Sequence, residues 1–363
     1  MAILLKRLYN PGKKSQTAAI AYEEDAMVKP DWLFAMKRFE KIDTRRSLRE
    51  LLNSILPYAA IFAAMYIAYH IGLPYWIVLI MSFPAAGFLV RTFIILHDCG
   101  HYSFSNDSRM NSIFGYVCGV LTFSSFPDFR RSHAMHHATV ANLDKRGVGD
   151  VPTMTVREYR AASLPRRVVY RTLRNPIFLF LIFAPISFVI VARFPQNYGK
   201  KYDVIGTLAT DAVLAGLVAL AAVTMGILPY IAVQLPITYV STVVGTWLFY
   251  IQHQFKGVYW IRDAEWDQVK ASLYGASFYD LPAILRWFTG NIGYHHIHHL
   301  LPRIPNYMLK EAQETVPEVQ GVKPITLRSG FESLRLNIYD EEIGTLVGFR
   351  EAKPKLSRRA DAS

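Results

Sequence analysis

The histidines of this sequence are grouped at spacings that suit the binding of metal ions. The first block places His97 and His101 at positions i and i+4. The second and third blocks use positions i, i+3 and i+4, and consist of His133, His136 and His137, and of His295, His298 and His299. On a helix these offsets bring the rings of one block onto one face. Each block is therefore predicted to form a preformed set of metal ligands.

The number of histidines predicts two metal ions rather than one. The blocks supply eight imidazoles, and His253, which follows a long apolar stretch, adds a ninth. Neutral imidazole binds zinc, copper, iron and nickel, of which iron activates dioxygen whereas zinc carries out no redox chemistry. The sequence has no thiolate cluster and no Glu-x-x-His pair, which argues against an iron–sulfur centre and a carboxylate-rich di-iron bundle. Spacing alone leaves the identity of the metal open.

Four apolar stretches must position the blocks, and each is long enough to supply the roughly 20 residues that cross a bilayer. They are predicted to span at residues 53–73, 74–96, 204–225 and 227–251. Arg91, near the end of the second stretch, is expected to extend its side chain to water. The predicted fold is an all-α integral membrane protein with four transmembrane helices in two hairpins. A helical cap on the cytoplasmic side is expected to hold the metal centre.

The distribution of charge predicts the orientation in the membrane. The chain carries a formal net charge of +12, but no Lys or Arg occurs between residues 51 and 90 or between residues 202 and 255. The short connections within both hairpins are uncharged. By the positive-inside rule, both termini and all three blocks are expected on the cytoplasmic side. Basic residues confined to the flanks of apolar stretches also argue against a nucleic-acid partner.

The apolar stretches divide the chain into three parts. Residues 1–50 are predicted as a cytoplasmic N-terminal segment, residues 51–320 as the membrane domain and residues 321–363 as a cytoplasmic C-terminal tail. Two further apolar segments, 113–126 and 176–191, are short for a crossing. A single crossing at either segment would also separate the blocks across the bilayer. Both are therefore predicted to lie in the membrane interface, the second as an interfacial or re-entrant segment.

The blocks and their surroundings resemble the membrane fatty acid desaturase family, whose hallmark is three histidine boxes on a helical membrane scaffold. The resemblance covers about residues 50–320. The neighbouring residues are similar to the acyl-lipid omega-6 (delta-12) branch of the family. The similar stretches are His-Asp-Cys-Gly-His at 97–101, Asn-Leu-Asp-Lys-Arg-Gly at 142–147, Phe-Tyr-Ile-Gln-His-Gln-Phe at 249–255 and Gly-Asn-Ile-Gly-Tyr-His at 290–295.

The resemblance implies a site of two iron ions that activates dioxygen and removes hydrogens from an acyl chain held in a tunnel between helices. The eight block histidines would be ligands, and His253 would match an isolated histidine ligand of acyl-CoA relatives. Those relatives use an asparagine four residues earlier, where this chain has Phe249. Asp98, Asn291 and His296 are expected to support the ligands. A membrane-lipid substrate, an external electron donor of the ferredoxin or cytochrome b5 type, and a place in the bacterial inner membrane are also implied.

Other functions fit the same residues less well. Relatives that hydroxylate alkanes or oxidise carotenoids and sphingolipids have similar boxes, so a di-iron hydroxylase or oxygenase is the alternative. A zinc membrane hydrolase needs about three protein ligands and a water, which would leave most histidines spare. A haem protein needs histidines on facing helices within the bilayer, whereas these histidines cluster outside the spans. A transporter places ionisable residues inside its spans, and Asp211 is the main example in this chain. The prediction is a desaturase acting at the omega-6 (delta-12) position of a monounsaturated C16 or C18 chain.

Overall fold

The fold of residues 30–195 and 201–357 is described by a computed structural model. The α-helices of the first part are α1 (Asp31–Met36), α2 (Thr44–His70), α3 (Tyr75–Gly100), α4 (Ser108–Leu121), α5 (Phe126–Thr139), α6 (Val156–Ala161), α7 (Leu164–Leu173) and α8 (Ala184–Val189). A π-helical stretch, Ile177–Phe183, leads into α8.

The second part contains α9 (Lys201–Thr224), α10 (Ile227–His253), α11 (Gln268–Gly275), α12 (Ala283–Phe288), α13 (His295–Leu300), α14 (Leu309–Thr315), α15 (Pro317–Gln320), α16 (Leu327–Glu332) and α17 (Lys353–Ser357). The short strands are β1 (Phe278–Tyr279), β2 (Pro324–Ile325), β3 (Ile338–Asp340) and β4 (Thr345–Val347). Single 3-10 turns lie at Lys37–Glu40, Val191–Arg193, Asp263–Glu265, Asn306–Met308 and Ser333–Arg335.

The helices α2, α3, α9 and α10 are long and apolar enough to cross a membrane. Each helix extends beyond its predicted span at one end, and the added residues include polar ones. Helix α2 begins at Thr44 because the Asp43 carboxylate caps it, accepting hydrogen bonds from the backbone N–H groups of Arg45 and Arg46. Helix α10 continues to His253, which is its last residue. The predicted all-α membrane fold with four spanning helices is confirmed.

Both hairpins turn at a glycine, and α3 packs between them. Gly72 and Gly226 have φ values of +75° and +83°, which a residue without a Cβ adopts at low cost. Helix α3 contacts α2 in its own hairpin and α10 in the second hairpin. The core between these three helices contains Met65, Val78, Ala85, Ala86, Leu89, Val233 and Ile237. This packing brings the C-terminal ends of α3 and α10 together.

The segment between the first two blocks forms α4 and the start of α5. Helix α4 has 14 residues, so it is about 21 Å long and shorter than the roughly 30 Å hydrocarbon core. Helix α5 is held against α9 by an ion pair of 2.6 Å between Arg131 and Asp203. The Thr207 hydroxyl also donates to Ser125 Oγ at 2.9 Å. The length of α4 is consistent with the interfacial position predicted for residues 113–126, which stays a prediction.

The apolar segment predicted at residues 176–191 contains a sharp change of direction. The helix Leu164–Leu173 and the following stretch Ile177–Arg193 form an angle of 71°. Such a bend fits a re-entrant segment and also a broken span, so the interfacial placement stays a prediction. Asp211, an ionisable residue within α9, pairs with Arg193 at 2.6 Å. This carboxylate therefore has a structural partner.

After α10 the chain forms a cap of short helices around the third block. Helix α13 packs against α1 and the turn that follows α1, through a core that includes Met36, Phe39, Ile297, Leu300 and Ile304. Strands β1 and β2 pair in parallel, and β3 and β4 pair antiparallel. Strand β1 contacts α13, and β3 contacts α6.

Residues 321–357, within the segment predicted as a tail, fold against the rest of the chain. The Tyr250 hydroxyl donates to the Ser333 carbonyl at 2.9 Å, and the Tyr339 N–H donates to the Met154 carbonyl at 3.0 Å. Residues 358–363, and residues 1–29 of the predicted N-terminal segment, lie outside the described residues.

The side chain of Arg91 does not extend to water. Only 5% of the residue is exposed, and its guanidinium lies 4.2 Å from the centre of the Trp287 ring. It donates to the Trp287 carbonyl and lies 3.5 Å from the Glu50 carboxylate. The expectation that Arg91 reaches solvent is wrong, because the short helix α12 covers this face of α3.

Candidate metal centre

Four helices carry the histidine blocks to one place. His97 lies in the last turn of α3, and His101 directly follows that helix. The second block lies on α5, and the third on α13, whose six residues are all buried. His253 ends α10. The second and third blocks are helical, as their spacing predicts. In the first block His97 is helical and His101 is the residue directly after the helix.

The nine histidines predicted as ligands form two clusters. We call them the five-histidine cluster, which contains His97, His101, His133, His137 and His298, and the four-histidine cluster, which contains His136, His253, His295 and His299. Within each cluster, the ring nitrogens that face the others all lie within 4.8 Å of one another.

The clusters divide the blocks by a simple rule. Histidines at i and i+4 share a cluster, as His133 and His137 do, because four residues advance a helix by little more than one turn. The histidine at i+3, which is His136 or His298, belongs to the other cluster. The second and third blocks therefore each contribute to both clusters, and the sequence had not predicted this division.

The hydrogen bonds of two facing rings indicate that a cation belongs between them. His253 Nδ1 lies 3.1 Å from the Gly275 carbonyl oxygen, which can only accept, so Nδ1 carries the proton. The Asp150 carboxylate, 3.1 Å from His136 Nδ1, fixes the proton of that ring in the same way. The two Nε2 atoms therefore present lone pairs to each other at 3.0 Å. Such a contact is repulsive until a cation is shared between the lone pairs.

The separations of the other ring nitrogens also fit metal coordination. Metal–nitrogen bonds of about 2.1 Å at right angles place two ligand nitrogens about 3 Å apart. The Nε2 atoms are 3.1 Å apart in His133–His137, 3.0 Å in His137–His298, 3.0 Å in His295–His299 and 3.1 Å in His253–His295. The buried Nε2 atoms of His97 and His101 have no hydrogen-bond partner, which costs about 1–3 kcal/mol each unless a metal binds. The residues present therefore fit a metal ion in each cluster.

Burial keeps these imidazoles in the neutral form that binds metals. It holds the pKa well below the ordinary value of 6.5, with a further lowering by neighbouring histidines, for His101, His133, His137, His295, His298 and His299. Neutral rings need not release a proton to the solvent before a metal ion binds. The environment is thus suited to metal uptake at neutral pH.

The three residues predicted to support the ligands differ in their positions. Asp98 Oδ1 lies 3.5 Å from His97 Nδ1, and Asp98 Oδ2 accepts hydrogen bonds from the backbone and side-chain N–H groups of Asn306. Asn291 donates to the Asn306 carbonyl at 3.1 Å, so it acts on this network from further away. His296 lies outside both clusters, with Nε2 2.9 Å from Gln313 Oε1.

Sequence reasoning missed the groups that orient the four-histidine cluster. Asp150 is the last residue of a glycine-containing loop that follows the second block. Its closeness in sequence to His136 and His137 was the signal that could have identified it. Gly149 precedes it with φ +67°, and a Cβ there would lie 3.0 Å from the Cβ of His136. Glycine thus allows the loop to approach the histidine closely enough for Asp150 to accept a hydrogen bond from His136 Nδ1. The carbonyl of Gly275, which orients His253, left no signal, because any residue has a carbonyl.

Comparison with known proteins decides the family. The model of the fatty acid desaturase family matches residues 73–329, which is more than half of the chain. The chain belongs to the fatty acid desaturase family. This desaturase is an oxidoreductase of lipid metabolism with four membrane-spanning helices, and the predicted family and enzyme class are confirmed.

Curated relatives agree with this assignment. A fatty acid desaturase of Bacillus subtilis is 40% identical over 315 residues, which are 87% of this chain and 89% of the relative. An omega-3 fatty acid desaturase of the endoplasmic reticulum of Vigna radiata is 26% identical, covering 77% of this chain and 73% of the relative. An sn-2 acyl-lipid omega-3 desaturase (ferredoxin) of Arabidopsis thaliana chloroplasts is 28% identical, covering 68% and 56%.

The desaturase contains an apolar cavity of about 420 Å³ that reaches both histidine clusters. The walls come from α3, α5, α8 and α10, and include Val90, Phe93, Ile94, Phe129, Phe188, Leu248 and Phe249. His97 and His133 of the five-histidine cluster and His295 of the four-histidine cluster also line it. Its volume lies within the roughly 300–1,000 Å³ of ligand pockets. We call it the acyl cavity, because its apolar walls match a hydrocarbon chain.

Proposed function

We propose that the desaturase binds one iron ion in each histidine cluster and uses dioxygen as its co-substrate. The observation that carries the proposal is the contact of 3.0 Å between the Nε2 lone pairs of His136 and His253. All nine clustered histidines would be ligands. Iron rather than zinc is proposed because desaturation is a redox reaction and zinc has no accessible redox chemistry. Bound iron would supply the activation of dioxygen.

The reaction requires electrons from outside the substrate. Removal of one hydrogen from each of two adjacent methylene carbons forms the double bond. Together with two further electrons and two protons, these hydrogens reduce one dioxygen molecule to two water molecules. We propose an external donor of the ferredoxin or cytochrome b5 type. The name of the Arabidopsis relative, which includes ferredoxin, supports the first of these.

Residues of the acyl cavity would position the substrate between the clusters. The Phe129 ring stacks on His133 with centroids 5.0 Å apart, and the Phe249 ring lies 5.7 Å from that of His136. These aromatic rings therefore contact one histidine of each cluster. An acyl chain lying across them would present its methylene groups to both clusters, and the apolar walls would exclude water from the reacting carbons.

We propose a monounsaturated C16 or C18 chain of a membrane lipid as the substrate, with the new double bond at the omega-6 (delta-12) position. The motifs around the three blocks support this position. An omega-3 position is the second candidate, supported by the names of the Vigna and Arabidopsis relatives. For the cellular location, we propose the bacterial inner membrane, with the termini and histidine clusters on the cytoplasmic side.

Expression in a host that lacks dienoic lipids tests the activity. The expected result is a dienoic chain whose double-bond positions, determined by mass spectrometry of derivatised fatty acids, are delta-9 and delta-12. Trienoic chains formed only when dienoic acids are supplied would support the omega-3 position instead. Hydroxylated chains without new double bonds, or oxidised carotenoids, would contradict desaturation. A His136→Ala variant is the inactive control.

A further inference from the structure

A second cavity, of about 410 Å³, lies where α2, α3 and α12 meet. Its charged lining consists of five cations and one carboxylate, namely Arg46, Arg49, Arg91, Arg286, Lys310 and Glu50. We call it the basic pocket. Arg91 leaves α3 about 100° around the helix from Val90, which lines the acyl cavity. The basic pocket and the acyl cavity therefore lie on different faces of α3.

The basic pocket is lined by more cations than carboxylates. The single lining carboxylate, Glu50, lies 3.5 Å from Arg91. Arg46 lies over the Tyr307 ring at 4.4 Å. Among the described residues, neither Arg46 nor Arg49 forms an ion pair, so two guanidinium groups are available to an anion. Guanidinium groups bind phosphate oxygens in a bidentate manner, which favours this anion chemically.

A buried donor in the lining points to a missing acceptor. Arg91 is 5% exposed, and its Nε is buried without a hydrogen-bond partner. An unsatisfied buried N–H group of a cation is unfavourable. An anion held in the pocket that Arg91 lines would supply both an acceptor and a compensating charge.

The surroundings of the basic pocket suit a lipid rather than a soluble anion. Arg49 and Asn53 lie one turn from Leu52 and Leu56, which are 53% and 61% exposed on a membrane-spanning helix. On α12, Ile284 is 73% exposed beside the pocket. Cations at the end of a span, next to exposed apolar residues, occupy the depth at which lipid phosphates meet acyl tails.

We infer that the basic pocket binds the phosphate group of a membrane phospholipid. The concave lining favours a compact headgroup over the broad surface of an acidic protein. Arg91 precedes His97 by six residues on α3, so the bound phosphate lies about one to two helical turns from the metal centre along this helix. The inference does not depend on the position of the double bond or on the chemistry at the clusters.

Binding of short-chain lipids to the purified, metal-loaded protein in detergent tests the inference by titration calorimetry. The probe is dioctanoyl phosphatidylglycerol, and dioctanoylglycerol has the same chains without phosphate. We expect saturable binding of the phospholipid and at least about tenfold weaker binding of inorganic phosphate, which lacks the tails. Equal affinities for inorganic phosphate and the phospholipid would overturn the assignment to a lipid.

Variants distinguish phospholipid binding in the basic pocket from non-specific attraction to the positive charge of the protein. The double substitution Arg46→Gln and Arg49→Gln should weaken phospholipid binding at least about tenfold and leave dioctanoylglycerol binding unchanged. The matched control, Lys323→Gln with Arg328→Gln, removes the same charge from exposed positions outside the lining and should change affinity less than about twofold. Equal effects of the two double substitutions, or no effect of either, would overturn the inference.

A third variant tests the pocket independently, in case the Arg46→Gln and Arg49→Gln double variant does not fold. Lys310→Gln changes an exposed residue of α14 in the lining and should weaken phospholipid binding about threefold or more. If the lining substitutions weakened binding of an acidic ferredoxin but not of the phospholipid, the pocket would belong to a protein partner. That result would also overturn the inference.

Discussion

At the scale of single residues, His253 gives the sharpest test of the metal centre because it lies outside all three blocks. Its Nε2 is 3.0 Å from that of His136 and 3.1 Å from that of His295. Replacing it by glutamine removes the ring and its Nε2 lone pair, which faces the Nε2 atoms of both His136 and His295. We expect His253→Gln to lower iron from two ions per chain toward one and to abolish desaturation, with an unchanged yield in the membrane. Elemental analysis of the purified protein measures this.

His296 is the matched control, since it is as buried as the ligands but outside both clusters. Its Nε2 bonds to Gln313 Oε1 at 2.9 Å. His296→Gln should therefore keep both irons, and the lost support should slow turnover by no more than about tenfold. Full iron content and activity in His253→Gln, or equal iron loss in both variants, would contradict the ligand assignment.

Asp150 tests how the four-histidine cluster is oriented. Its carboxylate accepts from His136 Nδ1 at 3.1 Å and from the Gly147 N–H at 2.9 Å. Asp150→Ala should weaken iron binding about 10–100-fold, as loss of such a partner does at other metal sites. Asp150→Asn keeps an oxygen acceptor and should lose less. Iron retention against a chelator measures both, and unchanged retention in Asp150→Ala would exclude the orienting role.

At the scale of elements, helix α10 provides a test of the acyl cavity. Gly245 lines this cavity, and a Cβ built there meets no atom within 4 Å. Gly245→Phe should fill the open space and lower C18 desaturation roughly tenfold or more, since overpacking costs about 1–3 kcal/mol. Iron content should not change. Assays on C18 and shorter chains, with iron analysis, measure the effect.

Gly216 of α9 supplies the control for that substitution. It also has no atom within 4 Å of a built Cβ, but it does not line the acyl cavity. Gly216→Phe should therefore leave desaturation unchanged. Equal activities of the two variants would show that the cavity does not hold the chain.

The segment between α5 and α9 allows a test of the membrane topology. His137 before this segment and His253 after it lie in neighbouring clusters, and α9 and α10 form one hairpin of two crossings. The segment must therefore begin and end on the same side of the membrane. A reporter fused after Val191 is expected to report the cytoplasm. A periplasmic signal there would contradict the four-span arrangement.

At the scale of the whole molecule, metal binding should stabilise the fold. The clusters join α3, α5, α10 and α13, so each ion crosslinks elements that are distant in sequence. An ion at about 1,000 times its Kd contributes about 4 kcal/mol. Removal of iron by a chelator should therefore lower the Tm by roughly 5–15 °C in a thermal unfolding assay.

Zinc separates this structural effect from catalysis. It suits imidazole ligands but has no redox chemistry, so zinc should restore the Tm of the iron-free protein without restoring desaturation. An unchanged Tm after verified removal of iron would show that the clusters do not tie the helices together. Desaturation by the zinc-loaded protein would contradict the redox role of the metal.

The sequence by itself determined the local features of this protein. Spacing within a block fixes which rings share a helix face, and the length of an apolar stretch fixes whether it can span a bilayer. The ring sets of the three blocks and the four spans were predictable for this reason. The motifs around the blocks were also sufficient to predict the desaturase family, which the family comparison confirms.

Only the tertiary structure decided how the blocks combine. His136 and His137 are neighbours in sequence, yet they belong to different clusters, because α3 brings its histidines beside His137 whereas α10 brings His253 beside His136. Arg91 is buried rather than solvated because α12 covers it, and Asp150 reaches His136 because its loop folds back. These features depend on contacts between distant segments. Local spacing carries no information about such contacts, since they are set by the packing of whole helices.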